Sequence, residues 1–255
     1  MTGRRPDTTR VWEFVDHFRE VGVGADWISL PQYFKTHGYL TLGSGKLFHP
    51  TNSQENIGFP EDDWPASWSP EYPYFANQPP NDPHNCTNDV TLQRPLTWCA
   101  AQVAKEVAKL SDQKIRDSCI SHLRLAQEQL ANGTRYAKFF VGCGFHKPHL
   151  PHVVPEEFFR TLPQPDSTKY PLAAYPYAPI GMPAAAWHPP AAAMSGLLES
   201  PRFNGTANST LARVYRRAYD AAIAYTDYNI GQVLAELNAQ GFQDDTTVVV
   251  FGDHG

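Results

Sequence analysis

One stretch determines the predicted fold: Thr246-Thr247-Val248-Val249-Val250-Phe251, followed by Gly252-Asp253-His254-Gly255. A continuous apolar run of β-branched residues is typical of a strand that is buried on both faces of a parallel sheet. We therefore predict a central strand over 246–251. In open α/β sheets, the loops that follow the carboxyl ends of the strands carry the functional side chains. The residues after this run are accordingly the first candidates for a site.

Helix and strand patterns alternate along the rest of the chain. The predicted helices are 28–38, stopped at Gly38, then a helix from Ser111 or Asp112 to Asn132-Gly133, and one from Asn208 or Ser209 to Gly241. Strands are predicted over 39–43 and 139–141. This order predicts an α/β fold with a central, mostly parallel sheet flanked by helices.

Proline-rich segments interrupt this order. Residues 50–100 should be dominated by loops, and residues of about 146–201 should form a long surface excursion or, alternatively, a domain linker. We predict one partial catalytic domain over 1–255 that includes the excursion.

The composition excludes several classes of protein. With 42% hydrophobic and 13% aromatic residues and a formal charge of -5, the chain is neither globally disordered nor fibrous. No segment approaches the roughly 20 apolar residues of a membrane span. The balance is acidic and there is no Lys/Arg run, so a polyanionic glycosaminoglycan would have to be recognised locally, at a pocket. We predict no nucleic-acid partner. No apolar segment follows Met1, so we predict no signal peptide in this stretch.

Two other features indicate passage through the secretory pathway. Asn-x-Ser/Thr sequons begin at Asn85, Asn132, Asn204 and Asn208. Cys86 and Cys99 flank a short polar loop, which suits a disulfide in an oxidising compartment, although two unpaired thiols are the alternative. Cys119 and Cys143 fall in helix and strand patterns and are expected to be small buried residues, not metal ligands. We therefore expect a glycoprotein that is lysosomal or secreted.

Three polar clusters follow predicted strands. Gly43–His49 combines a glycine turn with Lys46, a point charge for an anion, and with the imidazole of His49. An ordinary glycine turn with a surface lysine is the alternative. In Gly144–His152, two prolines stiffen a loop whose His149 suits anion binding or proton transfer. A solvated polar loop or a zinc site would be the other interpretations of that segment.

The third cluster is Asp253-His254-Gly255, which offers an oxygen ligand and an imidazole for a divalent cation. On its own, it is better explained by a turn that Asp253 caps. Because all three clusters lie at carboxyl ends of predicted strands, together they indicate a site for an anionic ester held near a metal ion.

These motifs resemble the sulfatase family of the alkaline-phosphatase-like superfamily, over essentially the whole chain and in order. The matching segments are Thr2–Arg10, Pro31-Gln32-Tyr33-Phe34-Lys35, Gly45-Lys46-x-Phe48-His49-Pro50, His146-Lys147-Pro148-His149-x-Pro151 and Asp253-His254-Gly255. The resemblance implies, as substrate, the 2-sulfate of iduronate at the ends of heparan or dermatan sulfate, and a role in glycosaminoglycan degradation.

The resemblance implies a calcium-dependent sulfuric ester hydrolase with a formylglycine nucleophile, which a formylglycine-generating enzyme makes from a Cys-x-Pro-Ser-Arg motif. It implies that Lys46 neutralises the sulfate, that His49 assists breakdown of the aldehyde hydrate, and that His149 binds the sulfate and helps the leaving oxygen. It also implies that Asp253 and His254 are two of the ligands of one Ca²⁺, and that Cys86 and Cys99 form a disulfide.

The chain departs from the family pattern at its nucleophile. None of its four cysteines is followed by x-Pro-x-Arg. The Asp-Asp pair that completes the calcium site in family members, upstream of the segment that matches Thr2–Arg10, is missing as well. We therefore expect an internal fragment that is inactive alone. The alternatives are a phosphodiesterase or phosphonate hydrolase of the same superfamily, and a nonenzymatic remnant that binds sulfated glycans.

Overall fold

The computed structural model describes residues 1–12, 16–19, 24–48, 62–72, 75, 98–101, 110–149, 152–166, 168–186 and 209–253. Its elements in chain order are α1 (Pro6–Thr9), α2 (Leu30–Thr36), β1 (Tyr39–Gly45), β2 (Trp98–Ala101), α3 (Ser111–Ala131), β3 (Lys138–Gly144), β4 (His152–Pro155), α4 (Glu156–Arg160), a 3₁₀ turn (Ala184–Ala186) and α5 (Ser209–Ala239).

The chain forms two compact units. The first comprises residues 1–78, 114–145 and 229–255, and the second comprises residues 79–113 and 146–228. The helices α3 and α5 each contribute one end to the second unit and the other end to the first. A single domain over 1–255 remains a prediction.

A parallel strand pair organises the first unit. β1 pairs with β3 in the register Tyr39 with Lys138 to Gly45 with Gly144. On the other side of β1, a single bridge joins Ser44 to Phe75, so β1 lies between two neighbours. The segment between β1 and β3, which contains α3, supplies the long crossover that parallel strands require. The α/β class with parallel strands is therefore confirmed.

Local signals explain where the helices begin and end. Ser29 caps α2 in a capping box with Gln32, and Gly38 follows the helix with a φ of 82°. Gly133 and Gly241 adopt positive φ after α3 and α5. The three predicted helices are thus confirmed, with ends within about two residues of those expected.

The first unit has an apolar core and a separate buried ion pair. Leu40, Leu42 and Ala126 form the core, flanked by partly buried aromatic residues. The guanidinium of Arg19 donates two hydrogen bonds to the Asp63 carboxylate, at 2.5 and 2.7 Å. Because both side chains are buried, loss of either partner would leave an uncompensated charge.

The second unit is built around a second parallel pair. β2 pairs with β4, from Trp98 with His152 to Ala101 with Pro155. Its core consists of Leu110, Val153, Val154, Phe159, Val214, Ala218, Ala221, Ala222 and Tyr225. The elements β4 and α4 thus lie at the start of the proline-rich segment and contribute to this core, whereas residues 171–177 are exposed.

The predicted strand over 246–251 is wrong. Residues 246–251 form no ladder with any described strand, and Val248, Val249, Val250 and Phe251 are 50–73% exposed. β-branched residues favour a sheet only where a neighbouring strand completes the hydrogen bonds. The apolar pattern shows that residues 246–251 favour a strand conformation. It cannot show whether a neighbouring strand is present to pair with them.

Cys119 and Cys143 were expected only to be small buried residues, and no bond between them was predicted. They form a disulfide between α3 and β3, with the Cα atoms 6.1 Å apart and 24 residues apart in sequence. Cys119 is fully buried, as expected. The pairing follows from the packing of a helix across a strand, which sequence spacing does not reveal.

Among the helices in the described part of the chain, none is both long and apolar enough to cross a lipid bilayer.

Candidate functional site

Lys46 directly follows β1, where the two strands approach each other closely. Its backbone N–H donates to the carbonyl of Gly144 at 2.6 Å. A Cβ at Gly45 would lie 2.1 Å from the Gly144 oxygen, and one at Gly144 would lie 2.3 Å from the Lys46 carbonyl carbon. Glycine is therefore required at both positions, and it lets the backbone of the two strand ends meet directly beneath Lys46.

The side chain of Lys46 lies beside the last described residue. Its Nζ is 3.2 Å from Oδ2 of Asp253, and the Lys46 side chain is only 16% exposed while that of Asp253 is 65% exposed. The structure thus brings together two residues that sequence analysis placed in separate clusters. Since one partner is mostly solvated, the energy of this ion pair is small.

The buried carboxylate of Asp112 fixes the loop after β3. Sequence analysis identified Asp112 only as a possible start of a helix. The backbone N–H groups of His146 and Lys147 donate to the two carboxylate oxygens of Asp112 at 2.8 and 3.0 Å. The hydroxyl of Thr226 donates to the Lys147 carbonyl at 3.1 Å. Hydrogen bonds to an ionised acceptor are stronger than neutral ones, so Asp112 fixes the start of this loop.

The histidines of this loop have different environments. His149 is exposed, and its backbone N–H donates to the His146 carbonyl at 2.9 Å, which forms a turn. His152 is buried, and burial lowers its pKa to about 4, with help from the nearby charges of Lys147 and His149. His149 is thus the loop histidine placed to meet a solute.

His122, on α3, contacts β1 through Ser44. The hydroxyl of Ser44 is 2.8 Å from the Ser118 hydroxyl and 3.3 Å from Nδ1 of His122, both on α3. Burial lowers the pKa of His122 to about 4, so the ring is neutral near pH 7. Sequence analysis missed this polar contact because nothing in the spacing of 74 and 78 residues indicates it.

Several predicted residues fall outside the described part of the chain. These are His49, His254, Cys86 and the sequon residues Asn85, Asn204 and Asn208. Cys99 lies in β2, and Asn132 lies exposed in the turn after α3. An exposed turn is accessible to glycosylation.

The described residues do not assemble a calcium site. No group of three or more His, Cys, Asp or Glu side chains there is arranged to hold a metal ion. Of the two predicted ligands, only Asp253 is described, and its carboxylate faces the Lys46 ammonium. Ca²⁺ takes six to eight oxygen ligands, so these residues alone do not fit the ion.

Comparison with solved structures supports the fold. The phosphonate monoester hydrolase of Agrobacterium radiobacter superposes with a TM-score of 0.55 at 18% sequence identity, over 96% of this chain and 49% of that chain. At this identity the similarity concerns the fold alone.

Comparison of sequences gives the family. The chain is 32% identical to iduronate 2-sulfatase of Mus musculus and 31% identical to that of Homo sapiens, in each case over 100% of this chain. It spans 44% of the length of each of these relatives. The sequence profile of the family described as Sulfatase matches residues 1–255. The chain therefore belongs to the sulfatase family.

Proposed function

We propose that this chain supplies the anion-binding part of a sulfuric ester hydrolase that acts on a sulfated sugar or glycosaminoglycan. The observation that carries the proposal is the position of Lys46 directly after β1, where the Gly45–Gly144 approach holds its backbone and where its side chain is only 16% exposed. A shielded cation attracts a sulfate more strongly than a solvated one does.

Three side chains of this chain would each have a different role in hydrolysis of the sulfate ester. Lys46 binds and neutralises a sulfate oxygen, and His49 takes up or returns a proton at the nucleophile. His149, exposed on a loop that Asp112 anchors, donates a hydrogen bond to the sulfate and a proton to the leaving sugar oxygen. A 2-sulfated iduronate at a chain end is the proposed substrate, supported by the identity to the two iduronate 2-sulfatases.

The proposed cofactors would complete the site. Asp253 and His254 would provide two ligands to one Ca²⁺, with further oxygen ligands supplied from outside these 255 residues. A formylglycine would serve as nucleophile after a formylglycine-generating enzyme has acted. Because no cysteine of this chain lies in a Cys-x-Pro-x-Arg motif, we propose that the chain alone is inactive. The sequons favour a lysosomal or secreted location.

Sulfate binding and turnover by the purified chain test this proposal. Isothermal titration with inorganic sulfate should show binding that Lys46→Ala weakens about tenfold, while Lys35→Ala, a lysine on α2, leaves it unchanged. A fluorogenic sulfate ester should release no product with the 255-residue chain. Equal sulfate affinity in the wild type and Lys46→Ala would contradict the proposal.

A panel of esters separates the alternatives. Sulfate esters, a phosphodiester and a phosphonate monoester would be offered to the protein that contains this chain together with its nucleophile. Hydrolysis of the sulfate esters with loss of activity in His149→Ala supports the proposal. Preference for either phosphorus ester would favour a phosphodiesterase or phosphonate hydrolase, and binding without turnover of any ester would favour a glycan-binding remnant.

A further inference from the structure

The second unit contains an open cavity that the proposed reaction does not use. Its volume is about 450 Å³, and it is lined by side chains from the start of β4, from residues 169–170 and from the first half of α5. Cavities that hold small organic ligands have volumes of roughly 300–1,000 Å³. The cavity is thus large enough for one sugar ring.

Two of the residues that line the cavity each carry a buried polar atom with no hydrogen-bond partner among the described residues. They are Nδ1 of His152 and the hydroxyl of Tyr170. These two residues are only 5% and 4% exposed. Buried polar atoms are almost always hydrogen-bonded in native proteins. Two unsatisfied atoms in one wall therefore indicate a place where a polar ligand completes the bonding.

Aromatic rings form another part of the wall. Tyr215 and Tyr219 lie one helical turn apart on α5, so both project from the same face. Their ring centroids lie 6.4 and 5.9 Å from that of His152, with interplanar angles of 78° and 85°. Tyr219 is 46% exposed, which leaves ring surface for the apolar face of a ligand.

The charges of the lining favour an anion. Lys169 and Arg216 bring two cationic groups against the one carboxylate of Asp220. Arg216 donates a hydrogen bond to the Pro171 carbonyl, which fixes its position. Burial raises the pKa of Asp220, whereas the neighbouring Arg216 opposes that shift. The wall therefore combines a net positive charge with hydrogen-bonding groups and aromatic surface.

We propose that this cavity binds a pyranose that carries an anionic group, either a carboxylate or a sulfate. The rings of Tyr215 and Tyr219 would contact the C–H face of the sugar, and Lys169 would contact its anionic group. The Tyr170 hydroxyl and Nδ1 of His152 would form hydrogen bonds with the sugar hydroxyls. The cavity residues do not include Lys46, for which we propose sulfate binding, and the cavity proposal does not require the chain to be a hydrolase.

Calorimetric titration of the purified chain with glucuronate, glucose 6-sulfate and glucose tests the cavity. Both anionic sugars should bind, and glucose should bind at least about tenfold more weakly. Tyr219→Ala should weaken binding of the anionic sugars about tenfold, and Lys169→Gln should abolish the preference for anions. Tyr175→Ala is the matched control, because Tyr175 is 91% exposed and does not line the cavity.

The outcomes separate this proposal from the proposed function. Glucuronate binding that persists in Lys46→Ala supports the cavity, whatever the catalytic activity. Binding that Lys46→Ala abolishes and Tyr219→Ala and Lys169→Gln leave intact would overturn the cavity proposal and would favour a single anion site at Lys46. If none of the three sugars binds saturably, the proposal is wrong. Lys169→Gln changes an exposed side chain, so it remains informative if Tyr219→Ala fails to fold.

Discussion

Gly144 lies where a single added methyl group would separate the ends of the two strands. A Cβ there would lie 2.3 and 2.4 Å from the carbonyl carbon and oxygen of Lys46, which are backbone atoms that no side-chain rotation can move. The absence of a side chain at Gly144 is thus the condition for the position of Lys46.

Gly144→Ala should therefore lower the free energy of unfolding by about 3 kcal/mol or more, as overpacking against rigid atoms does. Gly231→Ala on α5 is the control, because nothing lies within 4 Å of its Cβ position, and it should stabilise the helix by up to about 1 kcal/mol. Urea unfolding of both variants measures the difference. A neutral Gly144→Ala would contradict the close approach.

Asp112 is the second residue on which the site depends. Its two carboxylate oxygens accept the N–H groups that begin the His146–His149 turn. In Asp112→Asn, an amide group would face one of these donors, so a buried N–H would lose its acceptor. We expect a loss of about 1–3 kcal/mol of stability.

Asp117→Asn is the matched control for Asp112→Asn. Asp117 lies on the same helix, and its side chain is 55% exposed and paired only with the adjacent Arg116. Its substitution should change stability by no more than about 0.5 kcal/mol. Equal effects of the two substitutions in chemical denaturation would show that the loop does not depend on Asp112.

At the scale of elements, the contact between β1 and α3 makes stability depend on pH. The pKa of His122 in the folded chain is about 4, below its usual value of 6.5. The unfolded chain therefore binds more protons between these values. Stability is complete above pH 6.5 and falls as the pH drops towards 4, by about 1.4 kcal/mol per pH unit for one such group.

His122→Gln should remove this contribution and make the dependence shallower by about 1.4 kcal/mol per pH unit in the same window. The lost hydrogen bond to Ser44 changes the level of stability at every pH, whereas only the lost titration changes the slope. The free energy of unfolding, measured by denaturant titration at a series of pH values, separates the two effects. An unchanged slope would show that the ring titrates normally in the fold.

At the scale of the whole molecule, the apolar segment 246–251 is exposed to solvent. Four consecutive large apolar side chains are 50–73% exposed there, and no described strand pairs with the segment. Exposed β-branched runs of low charge associate with one another through their free backbone groups. We therefore expect the isolated chain to self-associate through this segment.

Val249→Lys should reduce this association several-fold without lowering the unfolding free energy, because Val249 is 73% exposed. Ile180→Lys is the control, since Ile180 is equally apolar and fully exposed but lies outside any β-branched run. Static light scattering over a range of concentrations measures the difference. Equal effects of both substitutions would assign the association to general hydrophobicity.

Local sequence signals sufficed for α2, α3 and α5, for the strands β1 and β3, and for the family, but they did not indicate the short helices α1 and α4. Caps, stops and apolar periodicity act over a few residues, so Ser29, Gly38 and Gly133 could be interpreted without knowing the rest of the chain. The motifs around Lys46 and His149 likewise indicated a sulfatase before any geometry was known.

The contacts between distant segments had to come from the folded structure. Three features depend on which segments become neighbours. They are the Cys119–Cys143 disulfide, the hydrogen bonds from the loop to Asp112 and the exposure of 246–251. Spacing along the chain does not encode these neighbours, because they follow from packing between elements. Sequence patterns thus identify residues suited to a strand or a site, and packing establishes which partners they meet.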